Sequence, residues 1–126
     1  MRALAMLGVA VVLLGCASRG EHLTLAELAS ANQSKLVKLS VGMNKSDVIA
    51  LMGDRTAQTN DGIVNNPWTI EASVGKDGAQ YEALYYVTRK NQPFTPVRKS
   101  LTTGIVFKDG KVVGWGENAL QQYRQP

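Results

Sequence analysis

The sequence predicts an α+β fold in which two N-terminal helices pack on one face of a three- or four-stranded antiparallel meander. Three observations carry this expectation. Apolar residues recur at helical spacing between Thr24 and Gly53, and they alternate with polar residues from Trp68 onward. Asp109-Gly110 then sits between two alternating runs, the strongest hairpin signal in the chain. With 126 residues, 44% hydrophobic and 19% charged, the chain can bury one core without a disulfide or a structural metal. Its single Cys excludes an internal disulfide, and its single His excludes a multi-histidine metal site.

Met1-Arg2 is a short basic start, and Ala3 to Gly15 is uninterrupted apolar and small sequence. This is the layout of an export signal, too short to span a hydrocarbon core of roughly 30 Å. Leu13-Leu14-Gly15-Cys16 resembles the lipobox of bacterial lipoproteins. The resemblance implies cleavage between Gly15 and Cys16, a diacylglycerol on the Cys16 thiol, and an N-acyl chain such as palmitate on the new amine. Acyl chains contribute roughly 0.8 kcal/mol per buried CH₂, so such an anchor holds the membrane firmly. Ala17 follows where an Asp would imply inner-membrane retention, which favours the periplasmic face of the outer membrane. Lipidation also consumes the only thiol. Losing Arg2 with the signal lowers the net charge from +4 (14 basic against 10 acidic residues) to +3, too mild to point to nucleic acid.

Residues 16–23 then read as a lipidated tether and 24–126 as a single domain. Thr24-Leu25-Ala26-Glu27 has the capping-box pattern and opens a helix over 25–38. Its stripe is Leu25, Leu28, Ala29, Leu36 and Leu39, interrupted by Asn32 and Gln33. Gly42-Met43 breaks the chain, and a second helix runs over 45–52 with Asn44 as cap and Asp47 suiting the dipole. Val48, Ile49, Leu51 and Met52 form its expected buried face, and Gly53 ends it. Turn-forming residues make 54–66 a loop. Strands follow at 68–74 and 81–89, joined by a turn at Gly75-Lys76-Asp77-Gly78. Lys90 to Lys99, with Pro93 and Pro96, reads as an exposed connection. Strands at 102–107 and 111–115 flank Asp109-Gly110, and Glu117 to Tyr123 adds a terminal helical turn.

The run Val41-Gly42-Met43-Asn44-Lys45-Ser46-Asp47-Val48-Ile49-Ala50-Leu51-Met52-Gly53 resembles the Gly-Met-[Ser/Thr]-Lys-x-[Asp/Glu]-Val signature of the SmpA/OmlA (BamE-like) lipoproteins. That family's domain is two helices on a small antiparallel sheet. Its members include an accessory subunit of the machinery that inserts β-barrels into the outer membrane, which binds a partner lipoprotein and anionic phospholipid. Asn66-Pro67-Trp68, Tyr85-Tyr86-Val87-Thr88 and Gly104 to Gly116 look like a branch of small lipoproteins without an assigned role. Asp54-Arg55 stand where the family usually has a Pro, and Asn66-Pro67-Trp68 replaces its Asp-Pro-Phe. A related fold also serves β-lactamase-inhibitory proteins.

Catalytic signals are weak. His22, the only His, lies in the tether with nothing to position it, and Glu71 and Glu82 could face each other across a hairpin but read more simply as surface charges. No phosphate loop, nucleophile elbow or metal-spaced cluster occurs. Binding candidates are clearer. Trp68, Tyr86 and Trp115 are partner-binding candidates because Trp and Tyr dominate interface hot spots. For Trp115 the first reading is a core plug between sheet and helices whose flanking glycines relieve crowding, and the partner anchor is the second. Arg89, Lys90, Arg98 and Lys99 bracket the Pro-containing connection and are candidates for anionic-lipid contact. The expectation is a non-catalytic, lipid-anchored envelope protein with no cofactor beyond the acyl groups on Cys16. It would bind another envelope protein in outer-membrane protein assembly or envelope integrity. The second expectation is an inhibitor or regulator of a periplasmic enzyme.

Overall fold

The computed structural model describes residues 22–91 and 95–124. The signal, Gly15, Cys16, nearly all of the tether and Pro93 lie outside the described residues. The fold is α+β. Helices α1 (Leu25–Leu36) and α2 (Lys45–Met52) precede a hairpin, β1 (Ala57–Thr59) and β2 (Gly62–Val64). An antiparallel meander follows: β3 (Thr69–Val74), β4 (Gln80–Val87), β5 (Thr102–Lys108) and β6 (Lys111–Trp115), in spatial order β3-β4-β5-β6. Helix α3 (Glu117–Arg124) closes the chain.

The capping box at Thr24 forms in full, with Glu27 N–H donating to the Thr24 hydroxyl and Thr24 N–H to the Glu27 carboxylate. These bonds, that from the Thr24 backbone first, hold the Glu27 carboxyl below its ordinary range. Helix α1 stops two residues before the expected end because its last turn tightens. Lys38 N–H bonds Lys35 O and Leu39 N–H bonds Leu36 O, which leaves Val37 exposed. Asn32 does not interrupt the stripe. It is fully buried on it, beside Leu25, Leu28 and Ala29.

Helix α2 has the expected bounds, but Ile49 is 45% exposed and only Val48 and Met52 are fully buried. A helix of eight residues turns a narrow face to its sheet, and Ile49 falls outside it. Asn44 has cap geometry without a side-chain cap bond; its amide oxygen accepts from Lys111 Nζ instead. Gly53 has φ +74, which suits glycine at a helix end.

The expected 54–66 loop holds the β1–β2 hairpin, whose turn is Asn60-Asp61, with Gly62 opening β2 at φ +115. Its three-residue strands are too short for an alternation pattern to show. Leu23 bridges in parallel to Ala57, and His22 Nδ1 lies 2.6 Å from Thr56 Oγ1, so the last tether residues join the fold and His22 is held.

The main core lies between α1–α2 and one face of the sheet: Leu39, Val48, Met52, Leu84, Tyr86, Ile105, Phe107 and Val112. The opposite face is covered by α3, a helix of about two turns where a single turn was expected. Helices therefore pack on both faces.

Candidate functional site

On the α3 face, alternation in β4 places Tyr81, Ala83 and Tyr85 side by side, with Glu71 of β3 opposite Ala83. Each tyrosine is the centre of a three-part cluster. Tyr85 OH donates to Glu71 at 2.9 Å, Lys99 pairs with the same carboxylate, and its ammonium lies 5.0 Å from the Tyr85 ring centroid. Tyr81 OH donates to Asp77 at 3.1 Å, Lys108 pairs with Asp77 at 3.0 Å, and that ammonium lies 5.8 Å from the Tyr81 ring centroid. Asp77 also accepts from Ala79 N–H, which is the main reason its carboxyl sits below the ordinary range, with Lys108 the next. Lys108 is correspondingly raised, by Asp77.

Between the clusters lies an open groove of about 420 Å³, lined by Glu71, Tyr81, Ala83, Tyr85, Leu120 and Tyr123. Tyr123 stacks on Tyr81 with centroids 5.5 Å apart. The wall made by α3 depends on two glycines. A Cβ at Gly104 would lie 2.9 Å from Leu120 Cδ2 and 3.1 Å from Tyr85 Cε1, and one at Gly114 would lie 3.0 Å from Ala119 Cβ. Gly116, at φ +88, turns the chain into the helix, and Leu120 N–H closes on its carbonyl. The Gly-Trp-Gly sequence thus serves α3 docking.

The candidates named from sequence distribute unevenly. Tyr86 is not at the surface: it is fully buried in the main core, because alternation turns it to the α1–α2 face. Burial raises its phenol to about 12, and its hydroxyl has no hydrogen-bond partner among the described residues. Trp115 is half-buried against the same core. Trp68 is half-buried between the α1 cluster and the α3 cluster, its N–H bonded to Tyr85 O. Arg89, Lys90, Arg98 and Lys99 are all exposed. Only Arg89 and Lys99 converge, on a second groove that adjoins the first at Tyr85 and Leu120.

Glu71 and Glu82 do not face each other. Ala72 is the residue opposite Glu82, so the carboxylates lie on different faces, and Glu82 pairs with Lys45 at 2.5 Å. The groove's carboxylates are engaged by tyrosine hydroxyls and lysines, which fixes the two rings in place. Sequence reasoning missed Glu71 with Lys99, Asp77 with Lys108, and Tyr123. The Tyr81–Tyr85 spacing was the available signal, and the acid–base partners were not, since they come from other strands and turns.

A model of a protein family of unknown function (DUF3192) matches residues 9–122, and the chain belongs to that family. No curated protein and no solved structure matches it.

Proposed function

We propose that this DUF3192-family chain is a non-catalytic, lipid-anchored envelope lipoprotein that binds another envelope protein through the α3-side groove. The single observation that carries the binding role is the pair of Tyr–carboxylate–Lys clusters bracketing an aromatic groove. Rings held by hydroxyl bonds and ammonium contacts lose little further freedom when a partner docks, which is how tyrosine anchors an interface at low entropic cost. The anchor rests on Leu13-Leu14-Gly15-Cys16, and placement on the periplasmic face of the outer membrane rests on Ala17. Likeness of residues 41–53 to the SmpA/OmlA (BamE-like) signature makes outer-membrane protein assembly the first context to test. The exposed Arg89, Lys90, Arg98 and Lys99 are the candidates to meet anionic headgroups.

Co-purification of the full-length chain from native membranes in mild detergent tests the reading. Barrel-assembly subunits in the eluate, lost with Tyr81→Ala or Tyr123→Ala, support it. A single soluble enzyme in the eluate supports the inhibitor reading instead. Retention of every partner by both variants removes the groove from the proposal. Labelling with a palmitate analogue, expected for the wild-type chain and absent from Cys16→Ser, tests the anchor separately.

A further inference from the structure

The two edges of the meander are treated differently. Along β6, the segment before α2 acts as a cover: Gly42 N–H bonds Val112 O at 2.8 Å, Val112 N–H bonds Met43 O at 2.9 Å, and Lys45 N–H bonds Gly110 O at 3.0 Å. Asn44 bridges Lys111 in antiparallel fashion. At the other end of the sheet, no strand among the described residues pairs with the outer side of β3. Proteins usually blunt an open edge with charge, proline or a bulge. Here Thr69–Val74 contains no proline, its one charged residue, Glu71, is paired with Lys99, and its register with β4 is unbroken.

The strand alternates cleanly. Ile70, Ala72 and Val74 point to the α1–α2 face, yet α1 and α2 pack over the later strands, so Ile70 is 54% and Val74 71% exposed. Thr69, Glu71 and Ser73 point to the α3 face, where Glu71 is engaged by Tyr85 and Lys99. This is an apolar strip along an open edge, and its sequence complements itself.

We infer that β3 pairs with β3 of a second copy, antiparallel about a two-fold axis at Ala72, to form one continuous sheet across two chains. In this register Ala72 faces Ala72, and Ile70 faces Val74 of the partner on both sides of the axis, so the strip is closed by apolar pairs only. Glu71 then faces Ser73 and not another carboxylate. An axis at Glu71 would set two like charges opposite each other, and one at Ser73 would bring Ile70 against Lys76. The Ala72 register is therefore the one that the charges and apolar groups both favour. An edge this short places the contact at the weak end of specific interfaces, so the dimer depends on concentration.

The test uses the full-length chain in mild detergent, with sedimentation or native mass spectrometry across a concentration series. A dimer is expected, and Ile70→Lys should weaken it by roughly tenfold or more by setting a charge against Val74. Adding Val74→Glu to Ile70→Lys should restore it, since Lys and Glu then face each other at both ends. Ala72→Cys should cross-link to itself, with facing Cα atoms about 4.5–5.5 Å apart, whereas Ile70→Cys should not, being about 14 Å from its own copy. The wild-type chain, carrying Cys16 alone, is the control. All three positions are exposed, and unchanged circular dichroism confirms folding of each variant. A monomer at every concentration overturns the inference, as do a dimer indifferent to Ile70→Lys and an Ala72→Cys cross-link to a different protein.

Discussion

The two faces of the sheet are closed by different means. On the α1–α2 face, side chains from both helices meet Leu84, Tyr86, Ile105 and Phe107 in a buried core, and a buried amide pair ties the helices to the sheet. Asn32 Nδ2 donates to Asn66 Oδ1 and to Val87 O, both at 2.8 Å. Asn66 Nδ2 donates back to Asn32 Oδ1 at 3.1 Å and reaches the Met52 and Gly53 carbonyls at the end of α2. On the α3 face, a short helix rests on two glycines, and the ring-to-carboxylate contacts along the strands remain partly open to solvent. The first face is built to hold the fold together. The second keeps an open groove whose tyrosine hydroxyls are already paired with carboxylates.

Breaking the amide pair should have the largest effect. Asn32→Ala removes both donors at once and strands Asn66 Oδ1 and Val87 O in a buried site. Leaving such groups unmade costs more than the bonds contribute net, so about 2–4 kcal/mol of stability should be lost in chemical denaturation. Asn66→Ala should cost a similar amount, and the double variant less than the sum. Additive losses would mean that the two amides act separately.

Gly104→Val breaks the other face. The added methyl groups meet Leu120 and the Tyr85 ring, and displacement of α3 should cost about 1–3 kcal/mol. The loss should be local. Amide exchange should quicken in α3 and the Tyr81–Tyr123 stack should loosen, while protection of α1, α2 and β4 persists. Equal loss of protection everywhere would show that the faces unfold as one.

Legibility in the sequence followed the same division. Elements with a local signature were readable: the Thr24 capping box, the bounds of α2, the β3–β6 meander and its Asp109-Gly110 turn. Asn32 was not, because a polar residue on a helical stripe looks like an interruption until Asn66, 34 positions away, supplies its partner. The burial of Tyr86 is not legible either, because both faces of β4 are buried and burial no longer alternates with exposure. The groove was half legible. Tyr81 and Tyr85 share a face by period two, but Glu71, Asp77 and Lys99 reach them through strand pairing and a distant turn. The work of Gly42-Met43-Asn44-Lys45 as a cover for β6 is not legible in the sequence, because its partners lie at a distant strand, with Lys111 67 positions from Asn44.

A smaller effect distinguishes a tyrosine whose hydroxyl is unpartnered among the described residues from two whose hydroxyls are bonded. Tyr86 buries a hydroxyl that no described group accepts from, unlike the hydroxyls of Tyr81 and Tyr85. Tyr86→Phe should therefore leave stability unchanged or raise it by up to about 1 kcal/mol. The folded phenol is raised to about 12 from an ordinary value of 10.0, so the unfolded chain gives up its proton first. Stability is full below pH 10 and falls as pH rises toward 12. That part of the alkaline limb should be missing from thermal melts of Tyr86→Phe. Tyr85→Phe should instead lose the bond to Glu71 and gain nothing.

The smallest effect lies at the acid end. Asp77 sits below its ordinary value of 3.8, through Ala79 N–H first and Lys108 second. A depressed carboxyl stabilises the fold at pH above its unfolded value, and that contribution is lost as pH falls through the folded one. Acidification below about pH 4 should thus release Lys108 and the Tyr81 hydroxyl together and loosen the groove wall. Glu27 is lowered in the same direction, by the Thr24 backbone first, and its loss frays α1 on the other face. Both contributions are lost on acidification, so a global melt cannot separate them. Asp77→Asn can: it should make near-ultraviolet tyrosine ellipticity at neutral pH resemble the acid state of the wild type while leaving α1 helicity intact. If ellipticity in that variant still responds to acid as in the wild type, the Asp77–Lys108–Tyr81 cluster is not what holds the groove in shape.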